Sequence, residues 1–183
     1  MVPASIRTKN PSAMWPGQIA TKFGSTQYET LHDGQGNKIA IFPDYEHGAA
    51  AQFALWAHSY AGMTLEAAIY KWSGHNSSTA YAQSLAKHVP GLSMSTVITV
   101  PFLQSAQGLQ FMKFQAQWEA GQVYPMTDQQ WATGQKLAFG EAQKEAEPKP
   151  SKAPQKPETA PEVAEATPQD VADISFTKLK ELI

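Results

Sequence analysis

Apolar positions recur at helical spacing through the middle of this chain. Residues 45–60 are alanine-rich, with Phe53, Trp56 and Tyr60 spaced to share one face. The stretch 64–72 follows a glycine and stops at Ser73-Gly74, and 77–88 follows the cap-type residue Asn76 and ends at Pro90-Gly91. Residues 102–120 read as one long amphipathic helix closed by Gly121, and 127–139 open on the capping-box spacing of Thr127 and Gln130. Residues 1–43 lack that period. Gly17, Gly24, Gly34 and Gly36 punctuate them, and Lys38-Ile39-Ala40-Ile41-Phe42 runs into Pro43 as a strand would. Residues 18–28 and 37–42 are expected to pair as a hairpin or small sheet about Asp33-Gly34-Gln35-Gly36. The fold class is therefore mostly α (α+β), a helical domain with a small N-terminal β-hairpin.

The pattern ends after Gly140. Residues 141–168 are rich in Pro, Glu, Lys and Ala, contain no aromatics and almost no branched aliphatics, and so have little apolar surface to offset ordering entropy. They read as a disordered linker stiffened by six prolines. In residues 169–183, Val171, Ile174, Phe176, Leu179, Leu182 and Ile183 form a short apolar pattern behind Thr167-Pro168, which suits a short amphipathic helix or a docking motif for a protein partner. The organisation expected is a domain over 1–140, a linker over 141–168 and a short motif over 169–183.

Composition narrows the class. Of the 183 residues 42% are hydrophobic and 10% aromatic, concentrated in the first 140, enough for one domain core. The chain has no cysteine, which excludes disulfides and thiolate zinc sites. The scattered histidines form no metal motif, and no cofactor is expected. Residues 1–140 carry eight Lys/Arg against seven Asp/Glu, and 141–183 carry six against nine, for an overall charge of −2. Neither part has the basic patch of a nucleic-acid binder. No apolar run approaches the ~20 residues of a membrane span, and the first fifteen residues lack the apolar core of a secretory signal.

Carboxylates are scarce in the helical part: Glu29, Asp33, Asp44, Glu46, Glu66, Glu119 and Asp128. Glu119 stands out, since it follows Trp118 in the last turn of the expected 102–120 helix. A carboxylic acid held against an aromatic wall is how a glycosidase keeps a general acid protonated near neutral pH. A solvated glutamate at a helix end is the competing reading. Glu46 is the second candidate, although its place at the start of a helix favours the ionised form. Glu29 and Asp33 on the hairpin are candidates for a second carboxylate, against ordinary turn chemistry. Glu66 and Asp128 have sufficient local reasons in first turns and caps. No nucleophile elbow supports an acyl-transfer site.

Several stretches carry a resemblance. Ile6-Arg7-Thr8-Lys9-Asn10-Pro11, then Ile41-Phe42-Pro43-Asp44-Tyr45-Glu46-His47-Gly48, resemble the "IRxxNPgNi … F.s.e.G" opening of small phage virion-associated proteins of the lysozyme-like superfamily. Ile69-Tyr70-Lys71-Trp72-Ser73 resembles "ii.rWap", Asn76 to Tyr81 resembles "N.t..Y", and Trp118-Glu119-Ala120-Gly121 with Tyr124-Pro125 resembles "hEnG..PY". The similarity covers about residues 1–135. The opening also looks like the "NNlFGIK" loop of flagellar-type glucosaminidases. In those enzymes and in lytic transglycosylases the catalytic glutamate, in an "ES.wG" context, ends a helix that precedes the hairpin. Here the matching pieces occur in reversed order, so the resemblance implies a circularly permuted arrangement bringing Glu119 to the Asn10-Pro11 loop.

What the resemblance implies is peptidoglycan glycan-strand cleavage by a muramidase or lytic transglycosylase, with Glu119 as a single general acid and base. Asn10, Trp15, Tyr81, Trp118 and Tyr124 would bind the glycan, with Trp118 as the wall beside the acid. Such a protein would be virion-associated or exported by a dedicated system, acting in the periplasm or at the cell wall. The alternative is a non-catalytic structural, cell-wall-binding or secretion-adaptor protein with a lysozyme-like fold.

Overall fold

The computed structural model describes residues 2–32, 34–74 and 78–140. The expected linker and terminal motif over 141–183, Asp33 of the hairpin turn and the cap Asn76 lie outside the described residues. Among the described residues the chain forms eight helices and one two-stranded antiparallel sheet near its start. No helix among them is long and apolar enough to cross a membrane.

Two short helices, α1 (Ala4–Arg7) and α2 (Gln18–Lys22), precede the hairpin of β1 (Gln27–Thr30) and β2 (Lys38–Ile41). The register pairs Gln27 with Ile41 and Thr30 with Lys38. The expectation of a strand from residue 18 is thus corrected. Ala20 and Phe23 are both buried, three residues apart, which is the spacing of one helical face and not of strand alternation.

Five of the remaining helices carry side-chain caps or cap one another. α3 (Tyr45–Ser59) begins where Asp44 accepts a hydrogen bond from His47 N at 2.8 Å. α4 (Leu65–Trp72) begins at Thr64, whose hydroxyl accepts from Ala67 N. α5 (Ser78–His88) leads through a loop to α6 (Val100–Gln104) and α7 (Ala106–Ala120), and α8 (Asp128–Phe139) starts on the expected Thr127–Gln130 capping box. The single helix expected over 102–120 is broken at Ser105. Its backbone is extended (φ −82°, ψ 167°), and its hydroxyl accepts from Gly108 N at 3.1 Å as the cap of α7. A cap of this kind is worth ~1 kcal/mol. A Cβ on Gly108 would stand 2.2 Å from Phe102 O, so the break folds α6 tightly back on α7.

α3 lies between two apolar clusters. Ala49, Phe53, Trp56 and Tyr60 join Leu65, Ile69, Trp72, Tyr81, Leu85, Phe111 and Trp131 in the larger one. Ala50 and Ala51 pack with Met14, Ala20, Phe23, Ala40 and Phe42 under the hairpin. A helix buried on more than one side needs small residues where neighbouring backbones approach it. A Cβ on Gly48 would sit 1.9 Å from Lys9 O, and one on Gly134 of α8 would sit 2.6 Å from the Ala49 Cβ.

These contacts decide the sign of a helix-stabilising substitution. Glycine to alanine inside a helix gains ~1 kcal/mol from propensity, while overpacking a closed interface costs ~1–3 kcal/mol. Gly134→Ala is expected to lower stability in urea unfolding, and Gly48→Ala, which meets a backbone carbonyl, to lower it more. Gly17→Ala, with nothing within 4 Å of its added Cβ, serves as the near-neutral control.

Candidate functional site

α7 ends in a left-handed Gly121 (φ 64°), the expected helix stop. Glu119, two residues before it, is half-buried. Its Oε1 accepts hydrogen bonds from Trp72 Nε1 at the end of α4 and from the Tyr81 hydroxyl on α5, both at 2.9 Å. One carboxylate oxygen therefore joins three helices.

The donors are themselves held in the core. Trp72 is 3% exposed and stacks on Trp56, ring centroids 5.5 Å apart. Tyr81 is fully buried, and Trp118 lies flat on its ring at 4.7 Å and 9°. Burial first, and then the neighbouring Glu119 carboxylate, push the Tyr81 hydroxyl well above its ordinary 10.0. Tyr81 is accordingly a neutral donor throughout the physiological range. With two donors on it, Oε1 acts as an acceptor.

The site residues expected from sequence divide into two groups. Glu119, Tyr81 and Trp118 come together. Trp118 reaches the acid indirectly, by covering Tyr81, and the indole that touches the carboxylate belongs to Trp72. Sequence reasoning had not given Trp72 that role, although it closes its helix just before Ser73-Gly74.

The others are held by contacts of their own. Asn10 is fully buried and its amide is saturated: Nδ2 donates to Met14 O and Ala40 O, and Oδ1 accepts from Met14 N and Ser12 Oγ. It pins its loop, where Lys9 and Ala13 take positive φ (54° and 48°), onto β2. Tyr124 is 4% exposed and donates to Ser5 O at 2.8 Å, tying the α7–α8 loop to α1. Trp15 is half-buried after the same loop as Asn10. Glu29 is paired with the Arg7 guanidinium. Glu46 lies half-buried in the first turn of α3, its carbonyl facing Gly134. Asp33 and Asn76 are outside the described residues, and among those described no three His, Asp or Glu side chains converge as a metal site would.

No family model matches this chain, and no curated protein matches it in sequence. The reading of the site therefore rests on its own geometry and on the short stretches quoted above.

Three buried tyrosines set the alkaline behaviour. Burial raises Tyr81 and Tyr124 above the ordinary range and Tyr60 to about 12. A hydroxyl whose folded value is raised stabilises the fold fully below its unfolded value, and that contribution disappears as pH climbs through the folded one. Stability in denaturant titrations is expected to fall progressively above pH 10, with a shallower fall in Tyr81→Phe. A pH-independent stability between pH 10 and 12 would contradict this account.

Proposed function

We propose that this protein cleaves peptidoglycan glycan strands with Glu119 as a single general acid and base. The observation that carries the reading is the half-buried carboxylate whose Oε1 is fixed by two neutral donors from separate helices. This arrangement holds the group ready to accept negative charge. The resemblance of the Trp118–Gly121 and Asn10 stretches to lysozyme-like proteins supports the choice of substrate.

Glu119 gives its proton to the glycosidic oxygen between N-acetylmuramic acid and N-acetylglucosamine as the C1–O bond breaks. The departing sugar keeps that proton as its new hydroxyl. The carboxylate left behind is stabilised by Trp72 Nε1 and the Tyr81 hydroxyl. It then takes a proton from the muramic 6-hydroxyl, whose oxygen closes on C1 to give a 1,6-anhydro end, and the acid is regenerated without consuming water. Water in place of that hydroxyl gives the hydrolase outcome, for which a second carboxylate is expected. Glu29 is paired with Arg7, and the anhydro route needs no second carboxylate. Under this reading the protein reaches the cell wall as a virion component or through a dedicated export system, with residues 169–183 as its attachment to a partner.

A non-catalytic wall-binding module is the second reading, favoured by the same hydrogen bonds, since they also tie α4, α5 and α7 together.

Glu119→Gln separates the two, because the amide oxygen still accepts from Trp72 and Tyr81 and the fold is kept. Wild-type protein is expected to release fragments with anhydro ends from isolated sacculi, read by mass. The variant is expected to lose ~10²–10⁴ of that rate. Equal release by both would move the chemistry to Glu46 or Glu29. Sacculi bound but uncut by either protein would establish the binding module.

A further inference from the structure

The N-terminal hairpin is closed along one edge only. In a strand the N–H and C=O of one residue point to the same edge, and successive residues alternate. Ala40 of β2 turns its pair away from β1: its N–H donates to Met14 O at 3.0 Å, and its C=O accepts from Asn10 Nδ2 at 2.9 Å. Phe42 N donates on the same side, to Thr8 O. Ile39 and Ile41 therefore face β1, opposite Glu29 and Gln27 in the register. That leaves Tyr28 and Thr30 with their backbone groups directed to the outer edge of β1. Among the described residues no hydrogen bond reaches these outward groups.

An open edge is usually blunted by a proline, a bulge or an unpaired charge. β1, Gln27-Tyr28-Glu29-Thr30, has none of these, since its one charge is paired with the Arg7 guanidinium. Tyr28 is 52% exposed, and Lys38 Nζ stands 4.2 Å from its ring centre. No carboxylate among the described residues pairs with Lys38. The edge thus offers backbone pairing, an aromatic ring and a cation together.

A later stretch of the same chain has the matching chemistry. Residues 157–177 contain Glu158, Glu162, Glu165, Asp170 and Asp173 and no Lys or Arg. Residues 169–177 also lack Pro and Gly, and Ile174-Ser175-Phe176-Thr177 alternates apolar with polar as a strand does. Ile, Phe and Thr favour strands, while Asp, Ser and Thr are weak helix formers. The point of departure suits as well. Ala138, near the end of α8, packs on the cluster of Ala40 and Phe42 beneath the hairpin. The stretch from Gly140 to Val171, on the order of 30 residues, spans ~30 Å as a flexible chain. That is about twice the ~14 Å radius of gyration of a domain this size.

We propose that residues 171–177 seat on the outer edge of β1 as a third strand. Tyr28 and Thr30 supply the ladder, Phe176 meets the Tyr28 ring as a cross-strand aromatic pair, and the acidic run is drawn to Lys38. Tethering holds the segment at millimolar effective concentration, so a short ladder needs little intrinsic affinity. This inference does not rest on glycan cleavage. A partner that takes residues 169–183 would compete with the edge for them.

The test is amide hydrogen exchange by NMR in the full chain. The outward amides of Tyr28 and Thr30 are expected to exchange ~10-fold more slowly in wild type than in Ile174→Asp/Phe176→Asp, the protection given by a tethered segment at about 1 mM with an intrinsic Kd of about 0.1 mM. Gln27 and Glu29, whose amides already face β2, are the internal control and should exchange alike in both proteins. The substituted positions lie outside residues 1–140, so the domain's own packing is untouched. Because the chain has no cysteine, a nitroxide on Ser175→Cys gives a second readout. It should broaden the Tyr28 and Thr30 amide signals, and adding Phe176→Asp should restore them. Outward amides equally fast in wild type and variant, or signals left sharp by the nitroxide, would overturn the proposal. So would protection that appears only as protein concentration rises, which would give the edge to a second copy of the chain.

Discussion

The rest of this fold depends on α3 being closely packed on opposite sides. An alanine-rich helix has little to bury per residue, so its contribution comes from letting larger partners approach. Ala49, Ala50 and Ala51 are all fully buried although they point in different directions, which a helix on the rim of a domain does not show. Gly48 admits the Lys9 carbonyl and Gly134 admits the Ala49 methyl, so the N-terminal loop and α8 both seat against the same turn of α3. Closing those approaches places Trp56 and Phe53 where they meet Trp72, Phe111 and Phe139. The larger aromatic core is thus organised by the smallest side chains in the chain.

That frame also determines what α7 can offer. Contacts between α3 and α7 run in opposite chain directions, Gln52 with Gln115 and Trp56 with Phe111, and beyond the helix end Tyr45 meets Tyr124. The deep part of the interface is aromatic. Nearer the end of α7 it becomes polar, and Glu119 follows one turn after Gln115. The site acid is therefore held at the point where a closed aromatic core gives way to hydrogen-bonding side chains, with α4 and α5 supplying the two donors.

Much of this architecture was legible in the sequence, for identifiable reasons. α3 and α4 announce themselves through apolar spacing and glycine stops, and α8 through the Thr127–Gln130 box; the caps Asp44 and Thr64 came with the structure. Glu119 was legible as a carboxylate next to a tryptophan at a glycine stop. The break at Ser105 was not, because helical period continues across it and only the close approach of Gly108 to Phe102 makes a new cap preferable to one more turn. Nor was α2, whose five residues are too few to show a period. The roles of Trp72 and Asn10 were hidden for a different reason. Each depends on partners at long sequence separation, Glu119 for one and Ala40 for the other, and short motifs do not say which groups a side chain will meet.

The two leading carboxylates illustrate how position within a helix differentiates chemically identical groups. Glu46 lies half-buried in the first turn of α3, with its own carbonyl facing Gly134. Glu119 lies in the last turn of α7, where the helix dipole and half-burial both oppose a negative charge. Against that, Trp72 and Tyr81 both donate to its Oε1 and favour the ion. A group subject to opposed influences is one whose protonation its surroundings can tune, which is what a residue that releases and recovers a proton requires. The presence of glutamate at this position, with two neutral donors on one of its oxygens, is the physical reason for proposing Glu119 as the reacting group.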